Sequence, residues 1–79
     1  MIFLYVIKSL NYNFRYVGIT NNIQNRIRRH NNGYNLSTKK YKPFELILIE
    51  KFINYKEARK REVFLKSGQG RIFLDNLKK

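Results

Sequence analysis

The chain has 79 residues, no cysteine and a formal net charge of +12, from 17 lysines and arginines against five acidic residues. This length predicts a single domain over residues 1–79, and the lack of cysteine excludes disulfides, thiol catalysis and cysteine-ligated zinc. The charge indicates a polyanionic partner: nucleic acid is the first choice, and an anionic membrane surface or simple solubility are the alternatives.

The first apolar run, Met1 to Ile7, is too short to span a bilayer, and no positive residue precedes it as in a signal peptide. We interpret it as a strand. No basic helix carries a wide apolar face, which argues against a membrane partner. We expect a cytoplasmic protein, with which the absence of cysteine is compatible.

A β-hairpin opens the predicted fold. Ile2 to Lys8 is rich in β-forming residues, Asn11-Tyr12-Asn13 suits a turn, and Phe14 to Ile19 forms the second strand. An even-numbered loop pairs residues whose numbers sum to 23, so Tyr5 lies opposite Gly18 and Tyr16 opposite Ile7. The two tyrosines are then diagonal neighbours on one face.

A first helix begins after Asn21 or Asn22 and ends near Asn32, where Gly33 suits its C-terminal stop. A basic loop, residues 34–43, leads to a third strand, Phe44 to Phe52. The remaining expected features are a capping box of Asn54 and Glu57, a helix to about Ser67, a break at Gly68 and Gly70, and a terminal helix at Arg71 to Leu77. The order ββαβαα is typical of a small α+β domain, with a three-stranded sheet flanked by helices.

The tyrosine pair has two interpretations. Gly18 has no side chain opposite Tyr5, which leaves one side of the pair open for a ligand to approach. The alternative is an aromatic cross-strand pair that only packs a core.

The first helix sets polar residues among its apolar ones. Four residues follow the i, i+3, i+4, i+7 spacing of one face: Ile23, Arg26, Ile27 and His30. Such a conflict between position and polarity is typical of functional sites. In the alternative, Arg26 and His30 edge the stripe and reach solvent past it. Arg28 and Arg29 point elsewhere, to solvent or to phosphate.

Glu62 is the corresponding anomaly of the second helix. At about 100° per residue it falls between Tyr55 and the side of the helix that carries Ala58 and Leu65. It is either a ligand of a hard divalent cation or the partner of Arg59, Lys66 or Arg26 in an ion pair.

Two tyrosines, an arginine, a histidine and a carboxylate form a plausible set for cutting a phosphodiester. Such a reaction must deprotonate a water, neutralise the phosphate and stabilise the leaving oxygen. Lone residues would be weak signals, and their joint placement carries the hypothesis.

With these residues the sequence resembles the GIY-YIG nuclease domain family. Phe3-Leu4-Tyr5 stands at the first motif and Tyr16-Val17-Gly18 at the second, with the tyrosines eleven residues apart. Arg26, His30 and the segment EARKREVFLKSGQGR, residues 57–71, also fit the family pattern. The resemblance covers essentially the whole chain and is closest to small stand-alone bacterial members; relatives include the nuclease domain of the excinuclease of DNA excision repair and several homing endonucleases.

The resemblance implies roles for these residues. Tyr5 and Tyr16 would orient or deprotonate the attacking water, and Tyr16 resembles the tyrosine proposed as the general base in the family. Arg26 would neutralise the scissile phosphate, His30 would assist proton transfer or hold that network, and Glu62 would bind a single Mg²⁺ or Mn²⁺ that stabilises the leaving 3′ oxygen. By this interpretation Arg26 and His30 border the apolar stripe because they face a cleft over the hairpin.

The sequence departs from the family pattern at two points. Phe3 and Leu4 replace the glycine and isoleucine of the first motif. Many members also place an asparagine late in the domain, near the active site, and Asn76 is the only late candidate here.

The resulting hypothesis is a divalent-metal-dependent endonuclease that hydrolyses DNA, with RNA as the alternative substrate. Further cations suit contact with backbone phosphates: Lys39, Lys40, Lys42 and Arg71. Two rivals remain open, a non-catalytic nucleic-acid-binding module on the same fold and a small basic interaction protein such as a ribosome-associated factor.

Overall fold

The computed structural model describes residues 1–77, and the last two residues of the predicted domain, Lys78 and Lys79, lie outside the described residues. Its elements are, in chain order, β1 (Ile2–Ser9), β2 (Arg15–Thr20), α1 (Ile23–Asn31), a 3-10 turn (Lys39–Tyr41), β3 (Phe44–Phe52), α2 (Tyr55–Leu65) and α3 (Gly68–Asp75). The predicted ββαβαα order and α+β class are confirmed. None of the helices in residues 1–77 has both the length and the apolar character needed to cross a bilayer.

The strands form an antiparallel sheet in the order β2-β1-β3. The register pairs Tyr5 with Gly18 and Ile7 with Tyr16, as the predicted sum of 23 requires. The pairing of β1 with β3 contains one irregularity, between Val6 and Ile7. Because β1 is the central strand, its side chains are covered on both faces of the sheet.

The alternation of side chains along β1 divides the core in two. Leu4 and Val6 pack toward Leu65 of α2 and Leu74 of α3. Tyr5 and Ile7 project to the other face, where they pack with three half-buried residues of β2 and α1 and with a buried residue of β3: Tyr16, Ile23, Ile27 and Phe44. The domain therefore has three layers, with the predicted site residues Tyr5 and His30 between the sheet and α1.

The predicted helix caps are confirmed. The side chain of Asn22 accepts a hydrogen bond from the backbone N–H of Asn25, and that of Asn54 accepts one from Glu57. Gly33 follows α1 with φ at +78°, a left-handed conformation that favours glycine. The chain ends α1 at this glycine and enters the basic loop.

The prediction that Gly68 and Gly70 break a helix is wrong. The chain turns at Lys66 and Ser67, and both glycines lie inside α3, whose N-cap Ser67 accepts a hydrogen bond from the N–H of Gly70. The terminal helix consequently begins at Gly68, three residues before the predicted start, and ends at Asp75. A Cβ atom on Gly70 would collide with the backbone of Phe64 and Leu65, so this glycine allows α3 to pack closely on the end of α2.

The two strands of the hairpin also extend one residue beyond their predicted C-terminal ends. Ser9, the last residue of β1, is buried, and its Oγ accepts hydrogen bonds from the backbone N–H groups of Asn11 and Tyr12. The turn lies at the predicted residues, and a serine at the strand end organises it through hydrogen bonds from the backbone.

Candidate active site

A chain of buried polar groups joins three elements of the fold. The hydroxyl of Tyr5 lies 3.0 Å from Nε2 of His30, and Nδ1 of His30 lies 2.8 Å from the hydroxyl of Thr38. All three residues are almost completely buried. Among the described residues no buried side-chain polar atom lacks a hydrogen-bond partner. These hydrogen bonds link β1, α1 and the basic loop through the imidazole of His30.

His30 is the most deeply buried residue of α1, so the interpretation that it edges the stripe and reaches solvent is wrong. Burial, followed by the charges of Arg26 and Arg29, lowers the pKa of His30 below its ordinary value. A neutral imidazole donates at one ring nitrogen and accepts at the other, and the hydroxyls of Tyr5 and Thr38 can complement both. The ring is thereby fixed in position in its neutral form.

Tyr16, on the neighbouring strand β2, packs over the hydrogen-bonded pair Tyr5 and His30. Its ring centre lies 6.2 Å from that of Tyr5 and 4.9 Å from the imidazole of His30. Unlike Tyr5, Tyr16 is only half-buried. Of the two motif tyrosines, Tyr16 is therefore the one that approaches the surface.

The prediction that Gly18 leaves space for a ligand is wrong. A Cβ atom at Gly18 would lie 2.5 Å from the hydroxyl oxygen of Tyr5 and 2.9 Å from the ring of Tyr16. The two rings themselves fill the space that the missing side chain leaves. Glycine is needed at this position because it lets the phenol of Tyr5 lie against β2.

The pKa of Tyr5 depends on its burial and on the polar and charged groups near it. Burial is the main cause that raises the pKa of Tyr5 to about 12, and the neighbouring Tyr16 adds to the effect. Arg26 lowers this pKa through hydrogen bonding and charge, and Glu62 raises it. Tyr5 thus contacts His30 and Tyr16 directly and is influenced by the charges of Arg26 and Glu62, while Tyr5 and His30 themselves lie beneath the surface and not on an open cleft.

Glu62 lies on α2 with its side chain only 12% exposed. Its carboxylate forms ion pairs with Arg59, at 3.3 Å, and with Lys66, at 3.2 Å, whose own side chains are 68% and 55% exposed. Two of the three predicted ion-pair partners are thus confirmed. Both cations are on the solvent side, so they can move away from the carboxylate at little cost.

Comparison with known proteins identifies the family. Residues 1–73 match the GIY-YIG catalytic domain. The chain belongs to the GIY-YIG family. No solved structure matched the chain significantly.

The similar GIY-YIG relatives are bacterial. A UPF0213 protein of Clostridium perfringens is 37% identical over 67 residues, which cover 84% of this chain and 71% of that protein. The UPF0213 protein YazA of Bacillus subtilis is 38% identical over 65 residues, covering 81% of this chain and 65% of YazA. A UPF0213 protein of Oceanobacillus iheyensis is 38% identical over 52 residues, which cover 65% of this chain and 60% of that protein. The matched segment thus spans about two thirds of the length of these relatives.

GIY-YIG nucleases generally use a divalent metal. Within residues 1–77 no group of three or more histidine, cysteine or acidic side chains could enclose a metal. Mg²⁺ commonly keeps several waters and takes one or two protein carboxylates together with substrate phosphate. Glu62 offers one such carboxylate, largely sheltered from solvent, and its charge contributes to raising the pKa of Tyr5.

The other predicted cations of the GIY-YIG domain lie on its surface. All are exposed, in α1, in the loop that follows it, or in α3: Arg28, Arg29, Lys39, Lys40, Lys42 and Arg71. Lys40 lies 5.5 Å above the ring of Tyr41. These side chains can contact a nucleic-acid backbone that passes over the domain.

Sequence reasoning missed Thr38, and it left the late asparagine of the family pattern unassigned, with Asn76 as the only candidate. Thr38 lies in a loop of polar residues, and no local pattern marks it as the second partner of His30. Asn76 is the C-cap of α3, where its backbone N–H donates hydrogen bonds to carbonyl groups of that helix.

Proposed function

We propose that this chain is a divalent-metal-dependent endonuclease that hydrolyses phosphodiester bonds of DNA. The observation that carries the proposal is the buried chain Tyr5–His30–Thr38 beneath Tyr16, with Arg26 and Glu62 acting on the same phenol. A core built only for stability would not require an arginine, a carboxylate and a histidine around one tyrosine, because each buried polar group costs free energy unless it is paired.

Tyr16 is the proposed general base. It is half-buried on the edge strand β2 and is one of the residues that line a surface groove, so solvent can approach this residue. Tyr5 is fully buried and, with its pKa raised to about 12, keeps its proton near neutral pH. Tyr5 therefore serves to hold His30 and Tyr16 in position, which narrows the pair of roles that the family resemblance implies for the two tyrosines.

Arg26 and Glu62 supply the charges that phosphodiester cleavage needs. Arg26 is half-buried beside Tyr5, where its guanidinium would neutralise the scissile phosphate as negative charge develops. Glu62 would hold Mg²⁺ or Mn²⁺, and the bound ion would stabilise the leaving 3′ oxygen. His30, kept neutral by burial, would position Tyr5 and accept or donate a proton within the network.

Nicking of a supercoiled plasmid tests the proposal. The wild type is expected to nick DNA with Mg²⁺ or Mn²⁺ and to lose this activity in EDTA. Tyr16→Phe is expected to reduce nicking at least about 100-fold, the usual contribution of a general base, at an unchanged melting temperature. Tyr34→Phe is the matched control, because Tyr34 is 67% exposed and outside the site. Nicking that survives EDTA, or that Tyr16→Phe leaves unchanged, would contradict the mechanism.

One observation favours a second candidate, a nucleic-acid-binding module without catalysis. Tyr5 and His30 are fully buried and fully hydrogen-bonded, as a purely structural polar core would be. This candidate predicts DNA binding without nicking in Mg²⁺, in Mn²⁺ or in EDTA. An RNA oligonucleotide of the same sequence, assayed in parallel, distinguishes the substrate.

A further inference from the structure

A groove runs along the surface between β2 and α3, with a volume of about 700 Å³. Tyr16 lines it, and so do Leu65 and Lys66 at the end of α2. Lys66 also pairs with Glu62. The groove therefore reaches two residues beside the candidate active site, Tyr16 and the Glu62 partner Lys66.

The lining of this β2–α3 groove is strongly positive. It contains four cationic side chains and one carboxylate: Lys8, Arg15, Lys66, Arg71 and Asp75. Of these four cations, only Arg71 is predicted from the sequence to contact phosphate. No local sequence pattern groups the four, because each lies on a different part of the fold. The net charge of +3 is concentrated on one concave surface that leads to Tyr16, which suits a phosphate backbone.

The single carboxylate of the groove is paired with one of its cations. Nη1 of Arg15 lies 2.7 Å from Oδ1 of Asp75, across 60 positions of sequence. The side chain of Arg15 is 25% exposed and that of Asp75 is 65% exposed. Asp75 thus occupies, from the solvent side, the position from which a phosphate oxygen would contact this guanidinium.

The helix itself does not account for Asp75. Asp75 is the last residue of α3, and an acidic side chain at a helix C-terminus lies near the negative end of the helix dipole. Its electrostatic support comes from Arg15 and from the other cations of the groove. The ion pair therefore belongs to the groove more than to the stability of α3.

We propose that the β2–α3 groove binds the phosphodiester backbone of the DNA substrate and that Asp75 competes with a substrate phosphate for Arg15. Arg15 is a positioning residue in this view, since it directs the strand toward Tyr16 without touching the reacting atoms. The proposal rests on the proposed function for the identity of the ligand. It adds a path for the DNA strand and an ion pair, Arg15 with Asp75, that lowers the affinity of the groove for DNA.

Binding titrations in EDTA test the proposal without cleavage, using a fluorescent DNA duplex and a series of salt concentrations. Asp75→Asn is expected to tighten binding about 5- to 10-fold. The slope of log K against log salt should steepen by about 0.9, which corresponds to one more phosphate contact. Arg71→Gln is expected to weaken binding and to flatten the slope by a similar amount.

Glu57→Gln is the matched control for net charge. It also removes one carboxylate, but Glu57 pairs with Lys60 on α2 and does not line the groove. In an Arg15→Gln background, Asp75→Asn should tighten binding no more than Glu57→Gln does in the wild type. Melting curves of each variant confirm that the domain is folded, and Arg15→Lys provides a variant that keeps the charge.

The outcomes separate this proposal from the proposed function. Equal effects of Asp75→Asn and Glu57→Gln, or an effect of Asp75→Asn that persists without Arg15, would overturn the groove assignment. Plasmid nicking by the wild type would then still support the nuclease. Tighter binding by Asp75→Asn without nicking in any metal would support the groove and contradict the nuclease.

Discussion

The hydroxyl oxygen of Tyr5 lies 3.0 Å from Nε2 of His30, and neither side chain has any exposed surface. A hydrogen bond between two elements in the core is stronger than one at the surface, because no water competes for it. The same pair connects the candidate catalytic chemistry with the stability of the domain. Changes at these residues should therefore appear in both activity and melting temperature.

Stability is expected to fall as the pH decreases through the range in which histidine titrates. The pKa of His30 in the folded chain lies below the 6.5 of an ordinary histidine, so between the two values the unfolded chain binds more protons. The free energy of unfolding should thus decrease from pH 6.5 downward, until the folded state also binds the proton. Thermal melting between about pH 7 and pH 5 measures this effect above the range of most carboxylates.

The chain contains one histidine, which allows a simple control for this effect. His30→Gln should show no decrease of melting temperature over the same interval, whatever its stability at about pH 7. A wild-type melting temperature that stays constant from about pH 7 to pH 5 would contradict the assignment of a neutral, buried His30.

Glu62→Gln is expected to abolish metal-dependent nicking while the fold and DNA binding are retained. Gln keeps the shape and the helix propensity of Glu but loses the charge that holds a hard cation. Its ion-pair partners Arg59 and Lys66 are well exposed, so the free energy of unfolding should change by less than about 1 kcal/mol. Glu57→Gln, on the same helix, should nick as the wild type does. Wild-type nicking by Glu62→Gln would end the metal-ligand hypothesis.

Neutralising the loop lysines is expected to weaken DNA binding. Lys39, Lys40 and Lys42 are exposed in the basic loop. The hydrogen bond between Thr38 and His30 holds this loop against α1. If each contacts one phosphate, their joint replacement by glutamine should reduce the salt slope by roughly 2 to 3. The control variant replaces three lysines of β3 and α2 by glutamine and so removes the same charge: Lys51, Lys56 and Lys60. Equal slopes for the two triple variants would exclude the loop from the interface.

The two glycines of α3 are expected to respond in opposite ways to alanine. Gly70→Ala places a Cβ against the backbone of Phe64 and Leu65 and should destabilise the domain by about 1–3 kcal/mol or more. Nothing lies within 4 Å of a Cβ at Gly68, so Gly68→Ala should stabilise the domain by about 0.4–1 kcal/mol. Denaturant unfolding of both variants tests this difference. A stable Gly70→Ala would show that α2 and α3 can separate without cost.

The sequence alone was sufficient for the order of the elements and for the hairpin. Alternation along β1 and β2, the register that pairs Tyr5 with Gly18, and the caps Asn22 and Asn54 depend on residues close together in the chain. Local backbone chemistry decides such features, so they can be inferred without knowledge of the tertiary partners. The grouping of the five candidate site residues came from the same local patterns and from the family resemblance.

Only the tertiary structure decided how deeply each residue is buried and which distant residues it contacts. The complete burial of His30, the role of Thr38 beside it and the close contact at Gly70 depend on how separate elements pack. The ion pair of Arg15 with Asp75 joins residues 60 positions apart. Helical periodicity places a residue on one face of its own helix, but the burial of that face and its polar partners are set by packing against distant parts of the chain.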